Sequence, residues 1–129
     1  TSYAKVSGTY DVTITPKTAD SYILAMFSYH AVFNYNTYLA VQIHVDDGGG
    51  FTSIHSTDNG NETHRFSLAS GSNTDRISTR AHLSGIYDSY TTTGDLTFSI
   101  FYKRPTGSNT ARINDVGGGS FLTLMEIVE

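Results

Sequence analysis

"YILAMFSYHAVF" (residues 22–33) alternates with a period of two, yet neither of its faces is polar. Ile23, Ala25, Phe27, Tyr29, Ala31 and Phe33 fall on one side, and Tyr22, Leu24, Met26, Ser28, His30 and Val32 on the other. Period two in β-branched and aromatic residues is the pattern of a β-strand, and a strand apolar on both faces needs cover twice. The final stretch "GGGSFLTLMEIVE" (residues 117–129) repeats the feature, with Phe121, Thr123, Met125 and Ile127 set against Leu122, Leu124, Glu126 and Val128.

The same period predicts further strands on either side of this run, over 2–6, 10–15, 38–46, 51–56, 62–69, 78–87, 95–103, 110–114 and 120–128. Turn residues separate them, the sharpest being "DNG" at 58–60, since Asn-Gly accepts the positive φ of a tight hairpin. No window carries an apolar stripe at helical spacing for three turns. The reading is all-β, a two-sheet antiparallel β-sandwich of about 8–10 strands. Most strands have one wet side: Leu39, Val41, Ile43 and Val45 oppose Ala40, Gln42, His44 and Asp46. Leu96, Phe98, Ile100 and Tyr102 form a similar stripe, with Phe101 the exception.

A chain of 129 residues fits one domain. It has no cysteine, which removes disulfides, thiolate chemistry and Cys-based zinc sites. A net charge of −4 with no basic run excludes the footprint of a nucleic-acid partner. No apolar stretch is long enough for membrane insertion as a helix. The opening "TSYAKVSG" lacks a start methionine, which points to an excised part of a longer chain.

In a sandwich of this size the outer face of each sheet is normally wet, so two doubly apolar strands imply something packed outside. A second copy of the chain is the economical cover, making a homo-oligomer the physical expectation. Met26, His30, Leu122, Leu124 and Glu126 are the expected interface residues. The alternative is that both strands are central and shielded by loops. Glu126 stands alone among apolar neighbours and would need a cationic or hydrogen-bonding partner.

Catalytic chemistry has little footing, and the chain is expected not to be an enzyme. No Ser sits in a strand-to-helix elbow. The three Glu residues offer no pair framing a pocket, since two of them lie in the terminal strand. His30, His44, His55, His64 and His82 lack metal-ligand spacing, and "VDDGGGF" (residues 45–51) lacks the spacing of a calcium loop and reads as a solvated turn. No metal or cofactor is expected. Two aromatic and amide-rich loops remain as ligand contacts: Asp58, Asn59, Asn61 and His64 in one, Tyr87, Asp88 and Tyr90 in the other. Sugar recognition sets a ring against the C–H face and Asp or Asn against the hydroxyls.

Two segments carry a family resemblance. "VTITPKTADSYILAMFSYH" (residues 12–30) resembles the "ITPKSxSSKILVM" strand of a domain recurrent in structural proteins of tailed bacteriophages, especially marine ones. "TGDLTFSIFYKRPTGSNTARIN" (93–114) followed by "GGGSFLTLMEI" (117–127) resembles that domain's close, "SSxLTxMEI". The segments span somewhat under half the chain; Tyr22 stands where the family has Lys, and the middle of the chain matches no motif. The resemblance implies the C-terminal tip of a phage tail fibre or spike, on the virion, carried by an upstream stalk. It also implies a jelly roll similar to the trimeric C1q and tumour necrosis factor heads, with the last strand in mid-sheet facing the threefold axis. Expected partners are then two sibling copies and a host-surface receptor, a carbohydrate by the loop chemistry. The alternatives are a lectin-like module of a secreted protein, a trimerisation cap without a receptor, and a polysaccharide depolymerase.

Overall fold

The computed structural model describes residues 2–34, 37–55, 64–67, 76–90, 93–104, 111–113 and 119–128. Ten strands run through them: β1 (Ala4–Lys5), β2 (Val12–Ile14), β3 (Tyr22–Asn34), β4 (Tyr38–Asp46), β5 (Thr52–Ser53), β6 (Arg65–Ser67), β7 (Arg76–Tyr87), β8 (Leu96–Lys103), β9 (Arg112–Ile113) and β10 (Phe121–Ile127). One short 3₁₀ turn, Gly8–Tyr10, lies between β1 and β2. One sheet is centred on β8 and β4, with β1 and β2 on the far side of β8 and β5 and β6 on the far side of β4. The other has β3 in the middle, β7 on one side, and β10 and β9 in succession on the other. All pairings are antiparallel. In chain order β2, β3, β4, β7, β8 and β10 alternate between the sheets, winding as a jelly roll does.

The core lies between the sheets. Ile23, Ala25, Phe27, Tyr29 and Ala31 of β3 have no exposed surface, and neither do Leu39, Val41 and Ile43 of β4 or Phe98 and Ile100 of β8. Burial of each large side chain contributes roughly 1.5–3 kcal/mol. Phe27 and Tyr29 stack with centroids 4.7 Å apart, and Tyr10 from the 3₁₀ turn meets Phe27 edge-on at 5.4 Å.

The expected wet side of β4 is covered. Ala40, Gln42 and His44 are all buried. The His44 ring stacks on Phe101 at 4.0 Å, with Tyr3 tilted beside it at 6.2 Å and Phe51 against Phe101 at 5.4 Å. Phe101, the exception in the stripe of β8, is therefore the centre of a ring layer that roofs this sheet with the chain's own side chains. Lys5 closes the layer over Phe51.

The terminal strand departs from the resemblance. Among the described residues β10 pairs only with β3, so it edges its sheet instead of lying in the middle. The reason is that β2 hydrogen-bonds to β8 in the opposite sheet and adds nothing to β10. Gly119, at φ 86°, turns the chain into β10, beside a groove of about 400 Å³ lined by Thr9, Tyr10, Val12 and residues 119–122.

Just beyond β5, Ile54 and His55 lie against Gly85 of β7, where the missing side chain makes room for them. A Cβ on Gly85 would stand 2.8 Å from Ile54 Cδ1 and 3.0 Å from His55 Cε1. Gly85→Ala is expected to lower stability by about 1–3 kcal/mol through overpacking, and Ile54→Val in the same chain to restore part of it, as read by denaturant unfolding. A second outcome concerns pH. Burial, and then neighbouring His55, push the His44 imidazole down to about 4. An unfolded histidine titrates near about 6.5, so between these values the unfolded chain binds the proton and the native chain does not. Stability therefore falls as pH drops through that window. Thermal unfolding should show the loss, and His44→Phe, which retains a ring on Phe101, should flatten it.

Candidate functional site

In an antiparallel pair, residues directly opposite share a face. The register sets Leu122 beside Phe27, Leu124 beside Ala25 and Glu126 beside Ile23, so these three face the core. Leu122 and Leu124 pack against the buried cluster. The expectation that they form an outer interface is corrected: period two divides the strand into two rows, and only pairing with β3 selects the inward one. The outward row is Phe121, Thr123, Met125 and Ile127.

Met26 and His30 do face outward, on the opposite row of β3 from Phe27 and Tyr29. Around Met26, Leu24 of β3 lies between Met125 of β10 and Ile86 of β7. Phe121, Met125 and Ile86 are 57%, 51% and 55% exposed. Large apolar side chains grouped on one open sheet face mark an interaction surface, whereas scattered ones do not. Leu24 completes this patch, and none of Phe121, Met125, Ile86 and Leu24 is among the interface residues the sequence pattern predicts.

Glu126 finds its partners within its own chain. Its Oε1 accepts hydrogen bonds from the backbone N–H of Lys17 (2.7 Å) and Thr18 (3.4 Å) and from the Ser21 hydroxyl (2.6 Å). The Ser21 hydroxyl holds the carboxyl below the usual carboxylate range, and the two backbone amides lower it further. The Tyr90 hydroxyl lies 2.6 Å from Ser21 Oγ. Ser21 has one hydrogen; with that hydrogen on the carboxylate, Tyr90 donates to Ser21. This chain of three groups anchors the β2–β3 and β7–β8 connections to the last strand.

The expected ligand residues separate. Asp58, Asn59 and Asn61 lie outside the described residues. His64 turns inward: its Nδ1 shares a 2.6 Å hydrogen bond with the hydroxyl of Tyr29, which is otherwise sealed in the core. A buried phenol requires such a partner, and desolvation, then His82, lower the imidazole's pKa. Tyr90, expected as a contact ring, is buried at 6% exposure, because its hydroxyl reaches inward to Ser21. Its ring stacks on Tyr87 at 5.8 Å.

Tyr87 and Asp88 remain together at the end of the sandwich. The structure adds Asp47, whose Oδ2 accepts a 3.2 Å hydrogen bond from the Tyr87 hydroxyl. Burial, then Asp47 and then Asp88, raise the phenol's pKa. Asp47 sits in the hairpin between β4 and β5, where the Asp46 carboxylate accepts the backbone N–H of Gly48 (2.8 Å) and Gly50 (2.9 Å). The "VDDGGGF" stretch is thus a turn bonded by its own amides, as its composition indicates. Among the described residues no three His, Asp or Glu side chains gather to hold a metal ion, and no helix is long and apolar enough to cross a membrane.

Replacing Glu126 tests the anchor. A lowered carboxyl pKa stabilises the fold fully above the ordinary carboxylate range and ceases to do so as pH falls through the folded value. Glu126→Gln should therefore unfold at a lower temperature than the unmodified chain at neutral pH, and the gap should narrow below about pH 4. Comparison of the chain with protein-family models, curated proteins and solved structures found no match.

Proposed function

We propose that this domain is the trimeric tip of a bacteriophage tail fibre or spike, which attaches the virion to a receptor on the host surface. One observation carries the reading: the outward face of β10, β3 and β7 exposes Phe121, Met125 and Ile86 on a sheet that no helix among the described residues covers. Three copies packed by this face would bury those side chains around a common axis. The segments that resemble the phage domain, 12–30, 93–114 and 117–127, include β10 and the part of β3 from Tyr22 to His30, whose outer rows make up most of the patch. The jelly-roll winding agrees with the architecture the resemblance implies, except that β10 edges its sheet.

Attachment would work through avidity, since three weak contacts at fixed geometry raise the effective affinity without any new kind of contact. The loop end with Tyr87, Asp47 and Asp88 offers a hydroxyl and two carboxylates of the kind that bind sugar hydroxyls. A stalk upstream would hold the tips away from the virion.

Two measurements test this. Sedimentation equilibrium should give a trimer at micromolar concentration, and Met125→Lys should give a folded monomer with an unchanged circular dichroism spectrum. Leu124→Lys, by contrast, should unfold the chain, because that side chain faces the core. A stable native monomer in the unmodified chain would overturn the oligomer. Isolated domain should also compete with virions for adsorption and leave host polysaccharide uncleaved; cleavage would make it a depolymerase. Asp88→Ala, at an exposed position, should keep the trimer and weaken competition on the order of tenfold, as expected for the loss of one charged hydrogen bond at each site. Full competition by Asp88→Ala would exclude this loop from the contact.

A further inference from the structure

Methionine occurs twice in the chain and cysteine not at all, so Met26 and Met125 carry all of its sulfur. Both lie on the outward face of the β3 sheet. Register puts Met26 beside Thr123 of β10 and Ser84 of β7, with Phe121, Met125 and Ile86 at the diagonal positions. Diagonal neighbours on one face are about 7–8 Å apart, within reach of a long side chain. Met26 is therefore the half-buried middle of the apolar patch, and Met125 stands at its side with 51% of its surface exposed.

A thioether is apolar and adapts its shape to what packs on it, which suits a surface that meets a copy of itself. In a chain without thiols it is also the side chain that a peroxide oxidises most readily. A lone pair on sulfur attacks one peroxide oxygen, the O–O bond breaks as the S–O bond forms, and the second oxygen leaves as water with the proton of the first. Sulfur loses two electrons and the peroxide gains them. The product, a sulfoxide, is polar and accepts hydrogen bonds. On the open face water supplies these. Between copies that water is lost, and of the positions around Met125 on the same face, Leu24, Met26 and Ile127 hold no donor. The Thr123 and Tyr22 hydroxyls there exchange one hydrogen bond for another, with little net gain.

We propose that Met125, exposed in the free chain and covered in the trimer, is an oxidation site that gates assembly, its sulfoxide holding the domain as a monomer. The inference rests on the trimer proposed above. Order then matters: a peroxide that reaches the free chain stops association, whereas one that reaches the trimer meets a covered sulfur. Reduction by methionine sulfoxide reductases with a dithiol reverses the block, the oxygen leaving as water and the dithiol becoming a disulfide.

The test begins with hydrogen peroxide, at a dose for which peptide mapping finds Met125 as its sulfoxide and circular dichroism finds the fold unchanged. After removal of the peroxide, treated and untreated chains are compared by sedimentation equilibrium. A penalty of about tenfold per copy enters the trimer association constant three times, so the concentration for half-assembly should rise about thirtyfold. The two classes of sulfoxide reductase, one for each epimer at sulfur, should with dithiothreitol return it to the untreated value. Met125→Leu, measured against itself before and after the same dose, should show no such rise. Peroxide should also oxidise Met125 more slowly at a protein concentration where the chain is assembled than where it is monomeric.

Oxidised chain that assembles as well as untreated chain would overturn the gate and leave the trimer standing, as would an equal rise in Met125→Leu or a rise that the reductases fail to reverse. Equal oxidation rates for the assembled and monomeric chain would place Met125 outside the contact and overturn the gate as well. Untreated chain that stays monomeric at every concentration would overturn the trimer, and the gate with it.

Discussion

The inward row of β3, from Ile23 through Ala25, Phe27 and Tyr29 to Ala31, has no contact with water, and the rest of the sandwich is arranged to keep it so. The facing sheet supplies Leu39, Val41, Ile43, Phe98 and Ile100 across the gap. Flanking strands seal its sides, β7 along its whole length and β10 then β9 along the other edge. Because β3 is bonded on both edges and packed on one face, its remaining face is the only surface it has left to offer.

Polar contacts let the hydroxyls of Tyr29 and Tyr90 enter this interior. Tyr29 reaches His64, and Tyr90 reaches the Glu126 carboxylate through Ser21. Each draws in a residue that its sequence neighbourhood assigns to the surface. An unpaired buried hydroxyl costs more than a loop residue gains by staying in water, and so His64 and Tyr90 point in, leaving Tyr87, Asp88 and Asp47 at the loop end.

The outer faces of the two sheets are finished differently. That of β8 and β4 is roofed by Tyr3, Phe101, His44 and Phe51 from the same chain. Among the described residues that of β3 has no such layer, and Phe121, Met125 and Ile86 stand in solvent, although Val32 at its far end is buried. A protein that closes one face with its own side chains and leaves large apolar side chains exposed on the other has an asymmetry that the proposed association of copies would resolve.

By itself the sequence determined the architecture. Period two in β-branched and aromatic residues, cut by Gly, Asn and Asp turns, placed strands at 22–34, 38–46, 76–87, 96–103 and 121–127 to within two residues, because alternation is a local property of the backbone. It also determined that two strands are apolar on both sides. Which side is which was decided only by the tertiary structure. The two rows of β10 are nearly equal in hydropathy, so no local term distinguishes them, and pairing with β3 turned Leu122, Leu124 and Glu126 inward. The partners of Glu126, which lie more than a hundred residues earlier, were likewise invisible in the sequence. Asp47 joins Tyr87 only because a hairpin of one sheet folds over the end of the other, a juxtaposition created by long-range packing.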